Sequence, residues 1–135
     1  MGRTNPVFAA LWGCLLVNAA TAAGQEEAPA VPSGLHLKLQ EFFVDTQPDG
    51  LRVGRFRFVA PALAEGVAFA RVEEDFAALC TGYALPYLSR EQQDVGQVVI
   101  SLASKPLEFG ESDPSVVQFF EAFQIENAQC KWEGF

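Results

Sequence analysis

Histidine and basic residues are scarce in this 135-residue sequence, and each shortage removes a class of chemistry. The one histidine, His36, has no second imidazole to join it as a zinc-enzyme ligand. No Gly-x-Ser-x-Gly or cysteine-protease pattern accompanies it, so a nucleophile-base pair is not expected, and it reads as an exposed residue at the start of a strand. Nine Lys and Arg stand against seventeen Asp and Glu, a formal charge of -8. A small body of that sign repels polyanions at long range, which argues against nucleic acid or an anionic lipid surface and leaves a cationic partner open. Glycine-rich phosphate loops, Cys-x-x-Cys and N-glycosylation sequons are absent, and no apolar run reaches the roughly 20 residues of a membrane span. No cofactor or metal and no stable membrane insertion are expected.

What is present begins with an export signal. Arg3 is the only charge before Glu26, the apolar run Val7 to Val17 follows, and Ala20-Thr21-Ala22 offers small side chains to a signal peptidase. Residues 1–23 therefore read as a signal peptide cut near Ala22 or Ala23, giving a periplasmic or secreted protein. Cys14 resembles a lipoprotein acceptor, but bulky Trp12 precedes it and Leu15-Leu16-Val17 continues the apolar run, so it is expected to leave with the signal. Loss of Arg3 brings the remaining 112 residues to a charge of -9. Half the chain is apolar and 12 % is aromatic, enough to bury the core of one domain.

Two cysteines remain, Cys80 and Cys130, in a chain destined for an oxidising compartment. An even count there reads as a disulfide, and a bridge closing about fifty residues is worth roughly 4 kcal/mol in the chain-entropy model. Free thiols or two metal ligands are the competing readings, the second poor with one histidine to assist.

Residues 24–34 are polar and contain Pro29 and Pro32, a flexible leader to the domain at 35–135. Leu35-His-Leu-Lys-Leu-Gln alternates into Phe42-Phe-Val, a half-buried strand. Pro48-Asp49-Gly50 is a strong turn, and Leu51 to Val59 is the returning strand, with a bulge expected at Gly54 where the apolar alternation changes phase. Phe69, Val72, Phe76, Leu79, Cys80 and Tyr83 keep helical spacing with Arg71, Glu73, Glu74 and Asp75 on the other side, predicting a helix over 70–82 stopped by Gly82 and Pro86. Gln97 to Ala103 is the most β-branched run and the expected central strand. In the tail, Asp113-Pro114 could open a helix, but Gln118 to Ile125 is rich in strand formers and Glu126-Asn-Ala-Gln129 reads as a turn, so a terminal hairpin is favoured, with Cys130 and Trp132 toward the helix. The sum is a two-layer α+β domain: an antiparallel sheet of about five strands with one helix on one face, stapled by the cysteines.

Pro32-Ser-Gly34, Phe56-Arg-Phe-Val-Ala-Pro61, Asp75 through Cys80, Tyr83-Ala-Leu-Pro86, Ile100-Ser-Leu102, Phe109-Gly-Glu111, Gln118-Phe-Phe-Glu121 and Cys130-Lys-Trp-Glu-Gly-Phe135 together resemble a family of small exported alphaproteobacterial proteins classed as a domain of unknown function. The resemblance covers nearly the whole chain after the signal and implies export and the cysteine pair. It implies no activity, cofactor or catalytic residue.

Arg55 and Arg57 fall on one strand face about 7 Å apart, close to Arg52, and two forked guanidiniums suit a carboxylate or phosphate. They are the ligand-binding candidates, set against simple pairing with acidic neighbours. Glu108, Glu111 and Asp113 lie in a Gly- and Pro-containing loop without the Asp-x-Asp-x-Asp-Gly spacing of a calcium site and read as solvated. Phe119-Phe120 would point to opposite faces of a strand, so one needs covering. Phe135 ends the chain as in outer-membrane barrel strands, but Lys131 and Glu133 share its face, against that reading. The expected function is a soluble, non-catalytic binding or interaction module engaging a protein or small anionic ligand through its sheet face. The alternative is a small carboxylate-dependent hydrolase with Glu111, Asp113 and Glu121 as its nominees, which needs a concave pocket holding two carboxyl groups about 5–10 Å apart.

Overall fold

A computed structural model describes Gly2, Ala28 and residues 30–134. The signal peptide apart from Gly2, and residues 24–27 and Pro29 of the leader, lie outside the described residues. Strand β1 (Lys38–Thr46) and strand β2 (Arg52–Val59) form the expected hairpin. Its turn is closed by Gly50 N–H on the Gln47 carbonyl at 2.9 Å, with Gly50 at φ +91°, a conformation that favours glycine. A helical connection then crosses the sheet, from a 3₁₀ turn at Pro61–Glu65 into helix α1 (Phe69–Leu79), a π turn at Cys80–Ala84 and helix α2 (Leu85–Arg90). Strand β3 (Gln97–Ala103) follows, and the chain closes in the hairpin of β4 (Gln118–Glu126) and β5 (Gln129–Glu133). Strand order in the sheet equals chain order.

The α+β architecture and the Cys80–Cys130 disulfide are as expected. Three of the four pairings are antiparallel and one is not: β2 and β3 run parallel, so the sheet is mixed. The cause is the connection. A helix that runs back over the sheet carries the chain to the end at which β2 began, so the next strand repeats the direction of β2.

Two local expectations also change. Gly54 sits in unbroken register between Val44 and Val98, and the irregularity lies in β1 between Leu39 and Glu41. Gly54 shares the helix-facing side with Phe56 and Phe58, where a Cβ would stand in ordinary contact with Phe42 and Leu88, while Val53 falls on the opposite face with Arg55 and Arg57. The helix runs eight residues past the predicted end. Pro86 cannot donate to the carbonyl four residues back and would crowd it, and the π turn widens the backbone just before it, carried by Leu85 N–H on the Cys80 carbonyl.

The core fills the space between sheet and helix. Phe56, Phe58, Val98, Ile100 and Leu102 meet Val72, Phe76, Leu79 and Cys80, all essentially without exposed surface. Asp75 is the exception to the charged side predicted for the helix: it is fully buried, accepting the Ser33 backbone N–H at 2.9 Å and the Ser33 hydroxyl. It lies three residues after Val72 and four before Leu79, on the rim of the buried stripe, and the 31–35 segment covers it. Val31 and Ser33, assigned to the leader by sequence, thus pack on the domain. Among the described residues no helix is long and apolar enough to cross a membrane.

Candidate functional site

The sheet face away from the helix is not bare. Alternation puts Glu41, Phe43 and Asp45 of β1, Arg55 and Arg57 of β2, Val99 and Ser101 of β3, and Phe120 of β4 on this side. The 104–117 loop folds over part of it. Its base is tied by Ser104 N–H to the Val117 carbonyl at 2.9 Å and by Val117 N–H to Ser104 Oγ at 3.0 Å. Further along, the Leu107 carbonyl accepts from Gln40 Nε2 at 2.7 Å and from Arg57 Nη2 at 2.8 Å. These bonds bring Phe109 down on the sheet, where its ring meets Phe43 edge-on with centroids 5.0 Å apart.

Arg55 and Arg57 are brought together here as the strand period requires, their guanidiniums 5.0 and 5.7 Å from the Phe109 ring centre. A cleft of about 200 Å³ opens between Phe109 to Glu111 on the loop and Arg55, Val99, Ser101 and Phe120 on the sheet. Both arginines are paired with acidic neighbours. Arg57 is buried and holds Glu41, the residue directly opposite on β1, as well as Leu107. Arg55 Nε lies 3.0 Å from Asp45 Oδ2, and its two Nη groups make no hydrogen bond among the described residues. Arg57 is therefore a strut of the loop, and Arg55 is the less committed of the two cations on the cleft wall. Phe109 and Phe120, 53 % and 50 % exposed, form apolar lips beside it. Arg52 lies off the cleft, bound to the Asp94 carbonyl at 2.6 Å and Gln93 Oε1 at 2.9 Å.

The other nominees separate. Phe119 turns to the helix side and meets Phe69 at 5.4 Å, while Phe120 stays on the open face. Glu111 rims the open-face cleft, whereas Glu121 lines a second cleft on the helix side, so the three carboxylates of the hydrolase alternative are not assembled. Asp113 accepts the Ser115 hydroxyl at 2.7 Å and the Ser115 N–H at 2.9 Å, which together hold its carboxyl below the usual range. His36 is exposed, and among the described residues no three His, Cys, Asp or Glu side chains gather as a metal-ligand set.

The second cleft was not foreseen. It holds about 390 Å³ between α1 and the β4–β5 hairpin, with Glu73 and Glu74 on one side, Glu121 and Trp132 on the other, and Phe76 and Phe123 beneath. Trp132 lies on the helix-facing side of β5, as expected, but beyond the packed core and 63 % exposed, with its Nε1–H donated to Glu121 Oε2 at 2.6 Å. A glutamate among inward residues that are otherwise apolar, Phe119, Phe123 and Ile125, was the available signal.

No curated protein matches the chain, and no solved structure does. Residues 14–135 match the model described as Family of unknown function (DUF6497), and the chain belongs to that family.

Proposed function

We propose that this protein is an exported, disulfide-stapled, non-catalytic binding module, periplasmic or secreted after cleavage near Ala22 or Ala23. Its ligand site is the cleft between the 104–117 loop and the open sheet face. The observation that carries this reading is the partly unspent Arg55 guanidinium set between the exposed rings of Phe109 and Phe120. At about 200 Å³ the cleft is smaller than the several hundred Å³ usual for a whole organic ligand. It suits an aromatic or aliphatic group ending in a carboxylate, whether a side chain of a partner protein or one end of a small anion.

Phenylacetate is the simplest such group. Titrated into isotope-labelled protein, it is expected to shift the amide signals of Ser101, Gly110 and Phe120 saturably, and Arg55→Gln is expected to weaken the effect about tenfold, the loss of one charge-assisted contact. No shift at these three amides, or an undiminished shift in Arg55→Gln, overturns the site. The export reading is checked by intact mass of protein recovered from the periplasm: a chain beginning near Gly24 supports it, and one beginning at Met1 or an acylated Cys14 overturns it.

A further inference from the structure

The second cleft has a composition that selects a different ligand. Glu73, Glu74 and Glu121 border it, while the described ion pairs take up Asp45, Glu41 and Glu126 and none of these three. Glu121 is the notable member. It is 7 % exposed, its Oε2 is bound to the Trp132 indole, and no Lys or Arg lies within ion-pair distance among the described residues. A carboxylate so withdrawn from water and lacking a counter-ion is electrostatically incomplete, and the open side of its environment is the cleft. The walls are aromatic: Phe76 and Phe123 floor the cleft, and the hydrogen bond to Glu121 fixes the orientation of the Trp132 ring.

Carboxylates alone would suit a small hydrated metal ion, and rings alone an apolar chain. Both together, in about 390 Å³, suit a cation whose charge is spread over alkyl groups, because such a cation sheds water at little cost and is attracted to the face of an indole. We propose that this cleft binds an alkylammonium ion, with Glu121 as its counter-ion and the Trp132 ring as the wall on which its N-alkyl groups rest. The fixed ring and buried carboxylate are in place before the ligand arrives, so little order is lost on binding. The excess negative charge of the chain draws a cation toward the site from a distance.

The test uses the full chain carrying Trp12→Phe, in which Trp132 is the sole indole. Choline chloride is titrated against sodium chloride at matched concentration and against the uncharged analogue of choline in which tert-butyl replaces trimethylammonium. Choline is expected to change the indole emission saturably, sodium chloride to leave it unchanged, and the uncharged analogue to bind at least about tenfold more weakly, the difference made by the charge. Glu121→Gln keeps the size and an acceptor for the indole N–H, and is expected to weaken choline at least about tenfold. Glu73→Gln with Glu74→Gln, both exposed, is expected to weaken it severalfold and stands in should Glu121→Gln fail to fold. Absence of a saturable response to choline, equal binding of the uncharged analogue, or full affinity in every folded carboxamide variant overturns the proposal.

Discussion

Asp75 joins parts of the chain forty-two residues apart, since the groups it holds belong to Ser33. Removing its carboxylate leaves the Ser33 N–H without its acceptor and a hole beside Val72 and Leu79. Asp75→Ala is expected to lower stability by about 2 kcal/mol in denaturant unfolding, and Asp75→Asn by less, because an amide oxygen still accepts one bond. Hydrogen exchange at residues 31–37 should rise more than elsewhere, since this residue anchors that segment to α1. Asp113 carries a pH dependence of known sign. Its bonds to Ser115 lower its pKa in the folded protein, so the stabilisation they bring is present in full above the unfolded-state value and is lost as pH falls through the folded one. Ser115→Ala is expected to raise the Asp113 midpoint toward the ordinary carboxylate range, read from its side-chain carboxyl carbon by NMR.

Among the elements, the β4–β5 hairpin is the one built against a local preference. Its turn places both Asn127 and Ala128 in the left-handed region, at φ 50° and 57°. Asparagine tolerates this, and alanine pays with a clash between its Cβ and the following carbonyl. Ala128→Gly creates the Asn-Gly pair this turn geometry prefers, and is expected to stabilise the protein by about 0.5–1 kcal/mol, read as a higher unfolding midpoint. The turn was legible in the sequence as a polar break between two strand patterns, as were the Pro48-Asp49-Gly50 hairpin, the helix stripe from Phe69 to Tyr83 and β3. The direction of β3 was legible too, in the long helical connection before it, but reading strands one at a time misses it. Gly82 and Pro86 misled about the helix end because one widened turn absorbs both. In the candidate site, the strand period gave the common face of Arg55 and Arg57. Their pairing with Asp45 and Glu41 depends on cross-strand register, and the descent of Phe109 on a loop carries no periodic signal at all.

For the molecule as a whole, the disulfide ties the crossover helix to the last strand across fifty residues of chain. Closing a loop of that length restricts the unfolded ensemble, and reduction is expected to lower stability by roughly 4 kcal/mol, measured as the difference between denaturant unfolding curves of oxidised and reduced protein. A loss well under half of that would mean that the reduced unfolded chain keeps the two segments close without the bond.

The bond also determines what the sheet shows to its surroundings. Strand β5 is an edge strand of five residues, short and carrying Lys131 and Glu133, and such strands recruit other chains poorly. Behind it runs β4, whose Gln-Phe-Phe-Glu-Ala-Phe-Gln-Ile-Glu sequence is longer and rich in aromatic residues. When Cys130 is released, fraying of β5 uncovers a β4 edge with unpaired amides and carbonyls, a template for intermolecular sheet growth. Held by Cys80, β5 acts as a lid on β4, and reduced protein is expected to scatter more light than oxidised protein at equal concentration.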